Sequence, residues 1–261
     1  MKRAYLGNWG SLQQITKSAL DPSLRGEMVQ KVLTRLREGK TDDASQASGE
    51  WCRSIATEVG AFCSAIDPEL WRESVETAAR IEADANRKLA TLDFDLGGGG
   101  NYPLLYFFVR HLRPKVVVET GVAAGFSTAA ILSAIKANGQ GHLYSSEFPY
   151  FRISDPVKYV GYVVDDELKA NWTLSIEGDR KNLPGILAAV DQIDLFHYDS
   201  DKSYSGRKLA VDLVTPKLAP GAPVIMDDLQ DNLFFRDHVK RLRADASVFE
   251  FLGKYVGLYY A

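Results

Sequence analysis

The sequence is poor in cysteine and has no long apolar run. Its 261 residues include only Cys52 and Cys63, too few for a disulfide framework or, by themselves, for a metal site. We expect both thiols to be buried and reduced, as in a protein of a reducing compartment. The longest apolar stretches have the length of a β-strand, so no membrane span is predicted. The N-terminus has basic residues but no apolar run behind them, which argues against a signal peptide and indicates a cytoplasmic protein.

An excess of positive charge is also missing. The chain has 31 lysines and arginines against 34 acidic residues, a formal net charge of -3. Proteins that bind nucleic acid or an anionic membrane usually concentrate basic residues on one surface. Because no basic tract stands out, neither nucleic acid nor a membrane is an expected partner.

Helical patterns fill the first hundred residues. Helices are predicted over 23–37, 50–66 and 69–92, with a polar loop over 39–49. The four consecutive glycines at 97–100 suit neither a helix nor a strand. They are interpreted either as a hinge or as a loop that lets the backbone approach a ligand closely. We therefore predict a helical N-terminal cap over 1–98 and a core domain over 99–261.

Short apolar runs alternate with helical patterns after residue 102. The expected strands are 116–119, 143–147, 173–176, 193–199, 223–227, 248–252 and 255–260. The expected helices are 104–112, 127–137, 183–190, 204–218 and 233–244. This alternation predicts an α/β fold with a Rossmann-like, doubly wound and mostly parallel sheet. The last two strands, joined at Gly253 and Lys254, predict an antiparallel hairpin at one edge.

A glycine-rich turn follows the first of these strands. It runs from Glu119 through Gly121, Ala123 and Gly125, and a helix begins directly after it. Glycine permits positive φ angles and close backbone approach, and the free amides of a helix start can hold a carboxylate. The spacing differs from the G-x-G-x-x-G pattern of dinucleotide-binding proteins. A nicotinamide-dependent dehydrogenase is therefore the weakest of the candidate functions.

Carboxylates cluster at the ends of the fourth and fifth predicted strands. Asp199 ends one strand, and Asp227 and Asp228 end the next. Neighbouring parallel strands should bring these groups together, and like charges that close raise each other's pKa unless a cation lies among them. Carboxylate oxygens suit Mg²⁺, and Asn232 could add an amide oxygen. Alternatively, Asp228 or Asp231 caps the next helix.

Lys202 follows Asp199 by three residues. A free lysine has a pKa of about 10.4 and is a poor base, but burial or a nearby cation can lower that value. Lys202 is therefore either a proton acceptor or a loop lysine that pairs with Asp199 or Asp201.

The turn and the segment from Asn171 to Asn232 resemble class I S-adenosylmethionine-dependent methyltransferases, in particular a bacterial group related to catechol O-methyltransferase. Ala123 replaces the middle glycine of the family's turn. The bacterial group usually has a histidine where this chain has Lys202. It also has a pair of glycines where this chain has Gly221 and Ala222. Catechol O-methyltransferase itself has a lysine there, as its catalytic base, beside an Asp/Asp/Asn metal set.

The resemblance implies transfer of a methyl group from S-adenosylmethionine to a hydroxyl of a small molecule, such as a sugar, a phenol or a natural-product intermediate. It implies that Lys202 is the base and that Asp199, Asp227 and Asp228 hold a divalent metal, expected to be Mg²⁺. Glu147 would bind the ribose hydroxyls, although it is alternatively an ordinary surface residue. The residues implied to bind the cofactor are Glu119, Gly121, Ala123, Gly125, Ser127, Glu147, Asp179 and Asp199.

Two other functions stay open from the sequence. A protein of this fold could use the metal for other chemistry, such as hydroxylation, and would then depend on a redox-active iron. It could also be a non-catalytic binding protein, which would show no affinity for the cofactor. The helical cap is a candidate surface for a homodimer.

Overall fold

The computed structural model describes residues 42–150, 153 and 155–261, together with the single positions Gly26, Met28, Val29, Thr34 and Glu38. Most of the helix predicted over 23–37 lies outside the described residues. None of the helices in the described part of the chain has the length and apolar composition needed to cross a membrane.

The first described elements are helix α1 (Asp42–Ile55), strand β1 (Ala56–Thr57), helix α2 (Val59–Ile66) and helix α3 (Pro68–Leu89). The loop predicted over 39–49 and the single helix predicted over 50–66 are therefore wrong. Helix α1 has few apolar residues because serines make part of its contact with the core. The buried hydroxyl of Ser48 donates to the carbonyls of Leu229 and Asn232, both at 2.8 Å.

The two cysteines lie on different helices, because a new helix starts between them. The carboxylate of Glu58 accepts hydrogen bonds from the amides of Gly60 and Ala61 and thereby begins α2. Cys52 and Cys63 are buried and unbridged, as the sequence predicted. Burial raises the pKa of Cys52 to about 11 and that of Cys63 to about 12, so neither thiol is reactive.

Helices and strands alternate through the rest of the chain. The helices are α4 (Tyr102–Leu112), α5 (Phe126–Asn138), α6 (Asp179–Ala189), α7 (Tyr204–Val214) and α8 (Phe234–Leu242). The strands are β2 (Val116–Thr120), β3 (His142–Ser146), β4 (Trp172–Ser175), β5 (Leu195–Tyr198), β6 (Pro223–Met226), β7 (Ala246–Phe251) and β8 (Lys254–Tyr260).

The strands of the described residues form one sheet in the order β1-β7-β8-β6-β5-β2-β3-β4. Strand β2 pairs in parallel with β3 on one side and with β5 on the other, so the chain order reverses at this point. Strand β8 is antiparallel to β6 and β7. The predicted Rossmann-like, mostly parallel sheet with an antiparallel C-terminal hairpin is confirmed. The hairpin turn consists of Leu252 and Gly253, one residue earlier than predicted, because Phe251 pairs with Lys254.

Side chains of the central strands alternate between two buried layers. Val117, Leu195 and Ile225 point to the layer formed with α4 and α5, whereas Val118 and Phe196 point to the opposite layer. Because both faces of the sheet are covered, these strands are continuous apolar runs in the sequence. Cys63 and residues of α3 share the first layer with α4 and α5. The domain boundary at residue 98 stays a prediction.

A buried histidine links helix α8 to strand β8. His238 stacks on the ring of Phe234, and its Nε2 lies 3.0 Å from the hydroxyl of Tyr259. Burial, together with the charge of Arg241, lowers the pKa of His238 to about 4. In the unfolded chain the imidazole has its ordinary pKa of about 6.5.

This difference predicts a pH-dependent loss of stability. Between about pH 6.5 and about pH 4 the unfolded chain binds a proton that the folded chain does not, so stability falls as the pH falls. We expect this group to account for a loss on the order of 2 kcal/mol, measured as the free energy of unfolding in urea. The variant His238→Gln should lose that part of the pH dependence. The same change at the exposed His111 should keep it; equal pH dependence in all three proteins would contradict the assignment.

Candidate functional site

A cavity of about 370 Å³ lies at the carboxyl ends of the central strands. In open parallel sheets, ligands bind at this edge, where the strand order reverses. Of the residues predicted from the sequence, those that line the cavity are Gly121, Ala123, Glu147, Asp179, Asp199, Lys202 and Asp228.

Backbone amides of the glycine-rich turn donate hydrogen bonds to an acidic side chain. The backbone N–H groups of Val122 and Ala123 each donate to one oxygen of Glu147 at 2.6 Å. The other oxygen of Glu147 accepts from the amide of Phe148 at 2.7 Å. Gly121 has a φ angle of 84°, and a Cβ there would overlap the carbonyl oxygen of Asp199. The turn can therefore lie against the Asp199 loop only because this residue is glycine.

Glu119 lies beneath the turn, not in the cavity. It is fully buried, and its two oxygens accept hydrogen bonds from the hydroxyls of Ser127 and Thr128 at 2.7 Å and Ser145 at 2.9 Å. The Nδ1 atom of His197 is 3.4 Å from the same carboxylate. In this structure the hydrogen bonds of Glu119 fasten the turn to α5 and β3. A role of Glu119 or Ser127 in cofactor binding stays a prediction.

Asp179 occupies the other end of the cavity, at the start of α6. Its carboxylate accepts from the hydroxyl of Ser146 at 2.6 Å and from that of Ser200. Ser200 also lines the cavity but was not singled out from the sequence. These two bonds hold the Asp179 carboxylate beside the loop that follows β5.

Three carboxylates meet where β5 and β6 end. One oxygen from each of Asp199, Asp227 and Asp228 lies within 4.8 Å of the other two. Asp227 is only 1% exposed, and within the described residues its Oδ2 atom has no hydrogen-bond partner. Burial, followed by the charges of Asp199 and Asp228, raises the pKa of Asp227 to about 7. An unpaired buried carboxylate oxygen in a group of three acids fits a hard divalent cation.

Lys202 places its ammonium group among these acids. Its Nζ is 2.8 Å from Oδ2 of Asp228 and also contacts the carboxylate of Asp199. Burial disfavours the charged form, but Asp199 and Asp228 outweigh it and hold the pKa of Lys202 above its ordinary value. Lys202 is thus an ion-pair partner in this arrangement and could accept a proton only after those pairs break. Asp201, the alternative partner, instead accepts from the amide of Ser203 at 2.9 Å.

Two positively charged residues of the site were not predicted from the sequence. Arg207 is fully buried on α7 and donates to the carbonyls of Asp227 at 3.0 Å and Asp228 at 2.7 Å. Lys254, at the start of β8, has its Nζ 3.0 Å from Oδ1 of Asp228. Neither residue belongs to a motif. Both reach the site only through the pairing of β8 with β6 and the packing of α7.

Asn232 does not join the acidic cluster. Its amide oxygen accepts from the backbone N–H of Phe234, the first residue of α8, at 2.9 Å, and its amide nitrogen donates to the carbonyl of Lys202 at 2.8 Å. The suggested amide ligand is therefore bonded to backbone groups. Asp228, proposed as an alternative cap, makes no capping bond with its side chain.

The tetraglycine segment packs directly on the site. A Cβ at Gly100 would lie 2.9 Å from Oδ2 of Asp227 and 3.1 Å from Nε2 of His197. A Cβ at Gly99 would lie 2.6 Å from Cβ of Phe126. Side chains at these two positions would therefore collide with the acidic cluster or with the start of α5. The close approach seen here is to protein atoms, and both the hinge and the close approach to a ligand stay predictions.

The chain is similar to known methyltransferases. Residues 118–229 match the family model described as "Methyltransferase domain". No curated protein matches the chain in sequence.

Solved structures of methyltransferases share the fold. An O-methyltransferase from Bacillus cereus in complex with S-adenosylhomocysteine is 13% identical, covers 80% of this chain and 100% of its own, and has a TM-score of 0.51. TomG, an O-methyltransferase from Streptomyces achromogenes involved in tomaymycin synthesis and bound to S-adenosylmethionine, is 15% identical over 78% of this chain and 95% of its own, with a TM-score of 0.52. A methyltransferase from Geobacter sulfurreducens is 18% identical over 69% and 88%, with a TM-score of 0.52.

The close contact of the turn with the Asp199 loop predicts a specific loss of stability. We expect Gly121→Ala to lower the free energy of unfolding by roughly 3 kcal/mol, because the added methyl group meets backbone and the φ angle is positive. Gly139→Ala is the matched control, since Gly139 has a φ of 68° but no atom within 4 Å of the added carbon; it should cost about 1 kcal/mol. Equal losses in urea denaturation would show that the contact is not rigid.

Proposed function

We propose that the chain, whose residues 118–229 match a methyltransferase-domain model, transfers the methyl group of S-adenosylmethionine to a hydroxyl oxygen of a small molecule. The observation that carries the proposal is one cavity lined by Gly121 and Ala123 of the turn, by Glu147 and by the loop from Asp199 to Lys202. One side of this cavity suits a nucleoside with an amino-acid tail, and the other carries groups that can activate a hydroxyl. Transfer would depend mainly on holding the two reactants in line and without water.

The cofactor would lie across the turn and the ends of β3 and α6. Glu147 has two carboxylate oxygens at the turn, where they would accept hydrogen bonds from the vicinal hydroxyls of a ribose. One of these oxygens accepts from the amides of Val122 and Ala123 and the other from the amide of Phe148, so binding would exchange one set of donors for another. Asp179 and Ser200 line the end of the cavity where the adenine would lie.

A divalent cation, Mg²⁺ in our proposal, would be held by Asp199, Asp227 and Asp228. When bound, it would acidify the acceptor hydroxyl and orient its oxygen. Lys202 would take the proton at Nζ only in its neutral form. Release from Asp199 and Asp228 would lower its pKa, so that the ammonium group first gives up a proton to water and can then accept the one from the acceptor hydroxyl. Arg207 would hold the two aspartates in place through their backbone carbonyls.

The N-terminal cap would select the acceptor. Thr34, from this region, lines the cavity. The carboxylate of Glu38 accepts from the amides of Tyr204 at 2.9 Å and Ser205 at 3.1 Å. We propose that these contacts keep the cap over the acceptor side of the cavity, so that residues 1–98 determine which molecule enters.

Cofactor binding is tested by thermal-shift titration with S-adenosylhomocysteine and, separately, NAD. We expect stabilisation by S-adenosylhomocysteine, because a ligand that binds only the folded state raises its stability with the ratio of concentration to dissociation constant. Glu147→Ala should raise that dissociation constant at least about tenfold through loss of charge-assisted hydrogen bonds. Glu167→Ala, at an exposed glutamate paired with Lys136, should leave it unchanged. Stabilisation by NAD alone would overturn the proposal.

The metal is tested by turnover, measured as S-adenosylhomocysteine release with a panel of phenols and sugars. We expect divalent-ion dependence in the wild type and a loss of about a hundredfold in Asp227→Asn, through lost stabilisation of developing charge. Asp227 does not line the cavity, so the variant should still bind S-adenosylhomocysteine normally. Full activity of the wild type in excess chelator would contradict a metal-assisted reaction, whereas dependence on redox-active iron would favour hydroxylation.

A further inference from the structure

Each oxygen of Asp228 forms an ion pair with the ammonium group of a lysine. Oδ2 is 2.8 Å from Nζ of Lys202, and Oδ1 is 3.0 Å from Nζ of Lys254. Asp228 is therefore a fully paired carboxylate.

Asp227 differs from Asp228 in this respect. Its Oδ2 atom is buried and is without a hydrogen-bond partner in the described ranges. Of these two neighbours, Asp227 thus offers an open oxygen to a cation, whereas Asp228 must first lose a lysine.

The position of Lys254 is set by a second contact between the hairpin and the acidic turn. The side chain of Gln230 donates to Oδ1 of Asp228 at 3.2 Å and accepts from the amide of Tyr255 at 2.9 Å. Gln230 therefore holds the start of β8 beside Asp228, with Lys254 as the adjoining residue. The Lys254 side chain is 45% exposed, so its ammonium group can exchange the carboxylate for water without any change in the sheet.

We propose that Lys254 competes with the divalent cation for Asp228, and that the cation binds as Lys254 leaves. The inference rests on the metal site of the proposed function. With all three carboxylates ionised, as they would be around a cation, the acids and the two lysines sum to a charge of -1, and a divalent cation added with both lysines in place would bring the sum to +1. Repulsion between the ion and an ammonium group that shares its ligand is avoided when the more exposed lysine withdraws.

The competition is measured by Mn²⁺ binding to the full-length protein, followed by electron paramagnetic resonance of the free ion. Lys254→Met should bind Mn²⁺ about tenfold more tightly than the wild type, because one opposing charge beside the ion is gone. Lys254→Arg keeps that charge and should stay within about threefold of the wild type. Lys208→Met, which removes an equal charge from a pair with Asp212 on α7, should change the affinity less than about twofold, since that charge is screened by solvent.

A double-mutant cycle identifies Asp228 as the shared ligand. In an Asp228→Asn background, Lys254→Met should no longer increase Mn²⁺ affinity. Equal Mn²⁺ affinity of wild type and Lys254→Met, or equal gains from Lys254→Met and Lys208→Met, would overturn the inference and leave the metal site standing. If neither the wild type nor any variant bound Mn²⁺ while S-adenosylhomocysteine still bound, the metal site and this inference would both be wrong, but the methyltransferase assignment would not.

Discussion

The repulsion between carboxylates at the ends of β5 and β6 is the constraint on which the rest of the site depends. Asp199, Asp227 and Asp228 lie within 4.8 Å of one another and are largely removed from water. Such a group is stable only with cations among it or with a proton on one member. The chain supplies Lys202 and Lys254 at the carboxylates and Arg207 at the backbone behind them. The same concentration of negative charge makes the site suitable for a divalent ion.

The two glutamates of the cofactor side show how environment assigns different roles to one residue type. Glu119 is surrounded by the hydroxyls of Ser127, Thr128 and Ser145, which satisfy its oxygens and leave none for a ligand. Glu147 lies at the cavity, where it accepts from amides of the turn and can exchange them for other donors. A buried carboxylate thus supports the turn, and an accessible one is available for recognition.

Glycines at the site allow the backbone to pack at positions where a side chain would not fit. Gly121 allows the turn to touch the Asp199 loop, and Gly100 lies against the carboxylate of Asp227. These contacts bring the glycine-rich turn, the acidic cluster and the start of the predicted core domain together. Methyl transfer needs such closeness, since the rate depends on the alignment of two bound reactants.

The sequence by itself determined the Rossmann-like sheet, the glycine-rich turn and the grouping of acids at strand ends, because these follow from local periodicity and from the rule that parallel strands end at one edge. It did not determine the first half of α1, where serine hydroxyls make the contacts with the core and the apolar Trp51 and Cys52 follow only later in the helix. Only the tertiary structure decided that Glu119 lies beneath the turn, that the Asn232 amide bonds to the backbone of Lys202, and that Lys254 reaches Asp228. Each of these depends on which distant segment supplies the hydrogen-bond or ion-pair partner, and local sequence patterns carry no information about that partner.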